Sequence, residues 1–239
     1  MQPRRHEGPL EYQDGVVQIV DRQKLLNGPK EPTRENLLYP QVGRLDLPPN
    51  VGAHTAFPMI GVEIAEFAKD KDGRLRDFVV VTDESIANEC LEARQMVWIA
   101  DITTESKPFG VSSWTVPESS GDFCGRGGRF GTHSSNENFT SIYYKRVMFF
   151  AHFNAGVRAV DVRDPYHPKE IASYVPAITA KTDKRCVGER CKVAIQTNNV
   201  DVDDRGYIYI ADRANTGLHI LELTGKARDI ADFRFQISD

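Results

Sequence analysis

Residues 147–161 read VMFFAHFNAGVRAVD. It begins with an apolar run, passes through Asn-Ala-Gly, and continues as a second apolar run that ends in Asp161. Short runs rich in β-branched and aromatic residues are typical of buried strands. Asn and Gly tolerate positive φ, as hairpin turns require. The stretch therefore predicts two antiparallel strands joined by a tight turn.

The same pattern recurs along the chain. Acid-ended runs lie at residues 17–21, 97–101, 157–161 and 218–222, and their acids are 80, 60 and 61 residues apart. The last three acid-ended runs each follow another apolar run, at residues 78–83, 147–152 and 207–212. Recurrence at a roughly constant interval is the signature of a repeat architecture.

Two further strands complete each predicted unit. Outer strands are predicted after turns, at residues 41–47, 109–116 and 170–175. Innermost strands are predicted at residues 54–64, 133–143 and 199–202. Four antiparallel strands per unit predict an all-β β-propeller, with about three complete four-stranded blades plus a partial N-terminal blade. Regularly spaced short strands also permit a β-sandwich. Helix-forming content is concentrated in residues 85–95.

The predicted units divide the chain into one partial and three complete blades. They are a partial blade at residues 14–48 and blades at residues 51–117, 130–177 and 195–237, within a single β-propeller domain or fragment over 1–239. Closed propellers typically have about 4–8 blades. We therefore expect the chain to be the C-terminal part of a longer propeller. Pairing of residues 232–237 with the N-terminal strands is the alternative route to closure.

The repeat resembles the LVIVD-repeat family of β-propellers. Residues 151–165 and 210–223 carry the resemblance, which extends over residues 14–237 with varying strength. The resemblance implies a propeller fold and says little about activity, because propellers support many functions. The first unit departs from the pattern, since residues 84–95 form a long charged insertion.

The composition excludes several functional classes. The chain is 40% hydrophobic and 27% charged, with a formal net charge of −4, so we expect no nucleic-acid partner. No apolar run approaches the roughly 18 residues of a membrane span. Residues 1–7 lack the apolar core of a secretory signal.

Four cysteines bear on the compartment. Cys186 and Cys191 flank a short polar loop, and the sequence leaves open whether they form a disulfide. Cys90 and Cys124 are predicted to be buried thiols. Because disulfides mark oxidising compartments, we expect a periplasmic or extracellular protein.

Histidines at matched places in the units suggest a metal site. His54 and His133 stand where innermost strands begin, Asn199 occupies the matching place in the third unit, and His152 ends a second strand. Matched positions in a repeat array are related by rotation, so they are expected to converge on one funnel. Imidazole suits Fe, Cu and Zn, and His54, His133 and His152 are therefore the predicted metal ligands. Hydrogen bonding of these rings to backbone groups is the alternative.

Acidic and basic groups complete the predicted site. Glu84 or Glu137 is expected to orient the imidazoles. The glycine-rich loop, residues 121–131, lacks the Gly-Lys-Ser/Thr ending of a phosphate loop. It is instead predicted to cover the funnel and to offer Arg126 and Arg129, with Asn199, to an anionic ligand. Glycines that serve only turns are the alternative.

The sequence thus predicts a propeller whose histidine-lined central funnel binds a transition metal or ligand. A metal-dependent oxidoreductase or hydrolase is the enzymatic form of this hypothesis. The partner is expected to be a small-molecule or protein ligand at the funnel mouth. The main alternative is a non-catalytic recognition or scaffold propeller that binds a protein, glycan or anionic ligand. A purely structural array of blades is a third possibility.

Overall fold

A computed structural model describes residues 15–64 and 75–231 of the chain. This part contains fifteen strands and three short α-helices, which confirms the prediction of an all-β protein. Every strand pairing within its sheets is antiparallel, and strands that follow one another in sequence are neighbours in space. The Asn-x-Gly turns at residues 154–156 and 215–217 connect two of these strand pairs, as the motif predicts, whereas longer segments connect others.

Two four-stranded meanders form the centre of the described structure. The first consists of β3 (Ala53–Glu63), β4 (Leu75–Asp83), β5 (Val97–Asp101) and β6 (Phe109–Trp114). The second consists of β7 (Ser134–Ser135), β8 (Val147–Ala151), β9 (Val157–Asp161) and β10 (Lys169–Tyr174). We call them the first and second sheets.

Smaller elements flank these two sheets. An N-terminal ribbon pairs β1 (Val16–Val20) with β2 (Gln41–Asp46), and helices α1 (Arg22–Asn27) and α2 (Arg34–Leu38) lie between them in sequence. A hairpin follows the second sheet, formed by β11 (Lys184–Val187) and β12 (Arg190–Val193). The third sheet contains β13 (Thr197–Val202), β14 (Ile208–Asp212) and β15 (Gly217–Leu221), after which α3 spans Gly225–Ala231.

The sheets pack face to face in sequence order. Phe149 of β8 packs with Ile210 of the third sheet, whereas its neighbours Met148 and Phe150 pack with Val80 of the first sheet. Successive strand residues point to opposite faces, so a strand between two sheets is apolar at every position. The position of β8 between two sheets explains why residues 147–151 are all apolar. The first sheet is likewise covered on both faces, because Val79 and Val81 pack with Val17 of the ribbon.

Three sequence expectations need correction. The innermost strand predicted at residues 133–143 is reduced to Ser134–Ser135, because the Asn136 side chain accepts the next ladder hydrogen bond, from the Phe149 amide (2.8 Å). Residues 85–95 form no helix. Glu89 and Cys90 have positive φ, which ends any helical path, and the Glu92 carboxylate instead accepts hydrogen bonds from the amides of Ile86 and Ala87.

The third correction concerns the cysteines. Cys90 and Cys124 form a disulfide rather than two buried thiols, and Cys186 and Cys191 form another. The pairing of Cys90 with Cys124 was hidden in the sequence because it joins two irregular loops. The predicted closing strand at residues 232–237 lies outside the described residues. Across residues 15–64 and 75–231, each helix is too short or too polar to cross a membrane.

Candidate metal centre

The structure brings two predicted ligands, His54 and His133, side by side. Their ring centroids are 4.4 Å apart although the residues lie on different sheets. His54 is the extra residue of a bulge in β3, where the register shifts between Ala53 and Thr55. Bulges re-aim a side chain relative to the regular pleat. His133 precedes β7, and its amide donates to the carbonyl of Ala151 (3.0 Å).

Glu84 completes a group that we call the metal triad: His54, Glu84 and His133. One ligand atom from each residue lies within 4.8 Å of the other two. Glu84 directly follows β4, and its amide donates to the carbonyl of Gly52 (2.8 Å), which fixes it beside the start of β3. Its Oε1 is 3.7 Å from Nε2 of His133. The sequence predicts that Glu84 or Glu137 orients the imidazoles, and the structure places the Glu84 carboxylate next to the His133 ring.

The His133 ring is held in the form that a metal ligand requires. Its Nδ1 lies 2.6 Å from the backbone carbonyl of Asn198, which can only accept, so Nδ1 carries the proton. The neutral ring then has its free lone pair on Nε2, the nitrogen that lies 3.7 Å from Oε1 of Glu84. Burial lowers the pKa of His133, and the adjacent His54 lowers it further. The neutral ligand form is therefore favoured near pH 7.

Two arginines form the second half of the site. Arg129 places Nη1 3.1 Å from Glu84 Oε1 and 3.0 Å from the carbonyl of Ser85. Arg213 donates from Nη1 to Oδ1 of Asn198 (2.8 Å). Both guanidinium groups lie over the ring of Phe153, at 5.3 and 5.1 Å from its centroid. The site thus combines a histidine–carboxylate side with a cationic side.

Arg213 was not predicted from the sequence, and Asn198 takes the place that the sequence predicted for Asn199. Arg213 follows the acid at the end of β14, just as Glu84 follows the acid at the end of β4, and this match was the available signal. In β13 the register shifts between Thr197 and Asn199, so Asn198 is the bulge residue that contacts His133. Within the described part of the chain, the predicted Asn199 contacts the site through its side-chain hydrogen bond with Asn198.

Other predicted residues lie outside the triad. The structure buries His152 completely, with its ring against Trp114 and Phe130, and burial lowers its pKa to about 3. Arg126 lies over the ring of Phe123, 4.7 Å from its centroid. Glu137 is exposed. Across the described residues, only the triad gathers three or more His, Cys, Asp or Glu ligand atoms this closely.

The insertion loop, residues 84–95, and the glycine-rich loop, residues 121–131, hold the site together. The amide of Glu89 donates to the carbonyl of Gly128 (2.7 Å), and the Cys90–Cys124 disulfide links the two loops covalently. Glu84 starts the first loop and Arg129 lies in the second. The connection therefore fixes the carboxylate relative to its arginine partner.

Comparison with protein-family models and with curated proteins identifies no relative of this chain. No protein-family model matches the chain, and no curated protein is significantly similar to it. The chemistry of the site therefore rests on its geometry. Two imidazoles and one carboxylate are ligands that Fe, Zn and Cu accept, and His54 is open to solvent.

Proposed function

We propose that this protein binds a transition metal through His54, Glu84 and His133 and uses it in hydrolytic or oxidative chemistry on a small ligand. The observation that carries the proposal is the convergence of these three side chains from distant parts of the chain. Three protein ligands leave coordination positions open to water and substrate, as catalytic metal sites require. Fe, Cu and Zn are the candidate metals.

We also propose that the sheets are blades of a β-propeller of the LVIVD-repeat type. A sandwich packs two sheets on each other, whereas here the first and second sheets each pack on two neighbours. Similar backbone hydrogen bonds join successive sheets, from Ser85 to Thr132 (2.9 Å) and between Phe153 and Thr197 (3.1 Å). The triad residues belong to the entries of innermost strands and to the turn after β4. In a propeller these places surround the axis.

The distances between the ligand atoms are compatible with metal binding if the three side chains move slightly closer together. Ligand atoms on one ion at about 2.1 Å lie roughly 3–3.5 Å apart. The Glu84–His133 pair is close to this separation at 3.7 Å, and the triad as a whole spans up to 4.8 Å. Arg129 does not prevent binding, since a ligating carboxylate commonly accepts hydrogen bonds from neighbouring groups. His54 is exposed, so its ring has room to adjust.

The proposal is tested by metal analysis of the whole chain. Protein stripped with chelator and titrated with Zn²⁺ or Co²⁺ is expected to bind one ion per chain. The double variant His54→Ala/His133→Ala is expected to lose at least about 100-fold in affinity, and the isosteric Glu84→Gln about 10–100-fold. His167→Ala is the matched control, because His167 is an exposed histidine paired with Asp164 (2.8 Å) far along the chain from the triad.

Two results would overturn the metal proposal. One is absence of stoichiometric metal in the wild-type chain. The other is unchanged affinity in a double variant whose circular dichroism and melting temperature show that it is folded. Ligand binding that persists fully after metal removal would favour the alternative, a non-catalytic recognition propeller.

A further inference from the structure

The charges around the metal triad are unequal. Glu84 is the carboxylate of the triad, and it is already paired with Arg129. Arg213 forms no salt bridge within residues 15–64 and 75–231, and its only side-chain hydrogen bond there is to the neutral amide of Asn198. Arg185 lies next to it and donates to the carbonyl of Arg213 (3.0 Å). The Glu84 carboxylate is therefore paired with Arg129 and lies close enough to Arg213 to act on its charge.

Packing on one aromatic ring helps to hold Arg129 and Arg213 side by side despite their like charges. Both lie over the ring of Phe153, which is fully buried and is tied to Thr197 by two backbone hydrogen bonds (3.1 Å each). Cations are attracted to the face of an aromatic ring, so Phe153 offsets part of their mutual repulsion. Asn198 links this charge to the triad, because its side chain accepts from Arg213 and its backbone carbonyl accepts from His133.

We propose that the metal site binds a small oxyanion, which is a carboxylate or phosphate group. One oxygen of this group would bind the metal, while Arg213 and Arg129 would bind the other oxygens. This inference rests on the proposed metal site and names the class of its substrate. Guanidinium groups present paired donors that match carboxylate and phosphate oxygens. His54 is exposed and Arg213 reaches solvent, so the ligand enters from the open side of the triad.

Opposite effects of Arg213→Ala on metal affinity and on oxyanion affinity would distinguish anion binding by Arg213 from a structural role. Arg213 is a cation bonded to the same Asn198 that holds His133, so a metal ion in the triad experiences its repulsion. Arg213→Ala is therefore expected to tighten binding of the metal alone by about 2- to 5-fold, since this is the scale of one partly screened charge. The same variant is expected to weaken oxyanion binding by at least about 10-fold. A merely structural arginine would weaken both.

The experiment titrates oxalate and inorganic phosphate separately into metal-free and Zn²⁺-loaded protein, by calorimetry. Oxalate represents carboxylates, and the stronger of the two responses identifies the source of the oxyanion. Loading with Zn²⁺ is expected to tighten anion binding at least 10-fold in the wild type. Arg126→Ala is the control, because Arg126 belongs to the glycine-rich loop but packs on Phe123. Arg213→Lys is expected to restore part of the affinity.

The outcomes distinguish the two proposals. If wild-type protein binds Zn²⁺ but Arg213→Ala binds both anions as tightly as wild type, the oxyanion inference is wrong and the metal site stands. If Arg213→Ala loses metal and anion together, Arg213 is structural and the inference is again wrong. If no metal binds but oxalate or phosphate still binds in an Arg213-dependent manner, the metal proposal fails and the arginine pair alone is an anion site.

Discussion

The chemistry of the triad depends on which ring nitrogen faces its centre. The Asn198 carbonyl settles this for His133, because it can only accept a hydrogen bond from Nδ1. For His54 the partner of Nδ1 is the hydroxyl of Thr55 (3.0 Å), which can donate or accept. His54 therefore keeps a choice of tautomer, and His133 does not. The buried His133 ring therefore has a fixed orientation, and the exposed His54 ring can adjust.

His152 gives the clearest pH prediction. Its ring is fully buried, and in the described part of the chain neither ring nitrogen has a hydrogen-bond partner. Burial, reinforced by Arg158, lowers its pKa to about 3 from an ordinary value of 6.5. Between these values the unfolded chain binds a proton that the folded chain does not. The folded state therefore loses stability as pH falls from about 6.5 towards 3, and keeps it fully above about 6.5.

The measurement compares urea unfolding of metal-free wild type and His152→Phe from pH 7 to pH 4. The wild type is expected to lose up to about 1.4 kcal/mol per pH unit relative to the variant. Asp83, whose pKa burial raises to about 6, acts in the opposite direction but is present in both proteins, so the difference removes its contribution. Parallel stability curves for the two proteins would show that His152 titrates normally.

For single residues, the sequence indicates which side chains belong to the site better than it indicates which side chains contact each other. His54 and His133 were found because both begin innermost strands. Arg213 and Asn198 were not, since their roles depend on a bulge in β13 that shifts the register by one residue. His152 illustrates the opposite error. Its position at a strand end suggested the funnel, but the side chain faces Trp114 and Phe130.

At the scale of elements, two matched hairpin glycines allow a controlled test of close packing. Gly156 and Gly217 both follow an Asn-x step and both have positive φ, +76° and +97°. A Cβ on Gly156 would lie 2.1 Å from the carbonyl oxygen of Tyr174, whereas a Cβ on Gly217 would meet nothing within 4 Å. Backbone atoms cannot move aside as a flexible side chain can.

Gly156→Ala is therefore expected to lower the free energy of unfolding by about 3 kcal/mol or more, because it adds a backbone clash to the conformational strain. Gly217→Ala carries the strain alone and is expected to cost about 1 kcal/mol. Chemical denaturation of the two variants measures the difference. Equal losses would mean that the backbone of β10 yields at Tyr174, contrary to the geometry described here.

The Cys90–Cys124 disulfide links stability to the metal site. It closes a segment of 34 residues, whereas Cys186–Cys191 closes one of 5. Chain entropy predicts losses of about 4 and about 2 kcal/mol when each pair is replaced by serine. Only the longer bridge joins the loops that carry Glu84 and Arg129. Its removal is therefore expected to weaken Zn²⁺ binding several-fold as well.

The two double-serine variants are compared by thermal melting and Zn²⁺ titration, with Cys186→Ser/Cys191→Ser as the matched control. Unchanged Zn²⁺ affinity in a folded Cys90→Ser/Cys124→Ser variant would show that the loops hold their places without the bridge. The insertion loop also shows where local sequence signals fail. Its composition favours helix, but positive φ at Cys90 and the covalent link to Cys124 override that preference.

At the scale of the whole molecule, the stacking of sheets follows from the apolar pattern. Continuous apolar runs such as β8 require cover on both faces, and the structure supplies it from the first and third sheets. Strand order and pairing were predictable because each hairpin is local. The loop contacts were not, since residues 84–95 and 121–131 have no repeat counterpart. The repeat therefore indicated that His54 and His133 would meet, whereas the pairing of Glu84 with Arg129 across the two loops was not predictable.

Anomalous diffraction from crystals grown with Zn²⁺ would locate a metal bound to the triad. The predicted result is one strong peak at about 2.0–2.2 Å from a nitrogen of His54, from Nε2 of His133 and from a carboxylate oxygen of Glu84. The sheets are expected to surround the axis on which this peak lies. Absence of a peak at full Zn²⁺ loading, or a peak bound by other residues, would contradict the account.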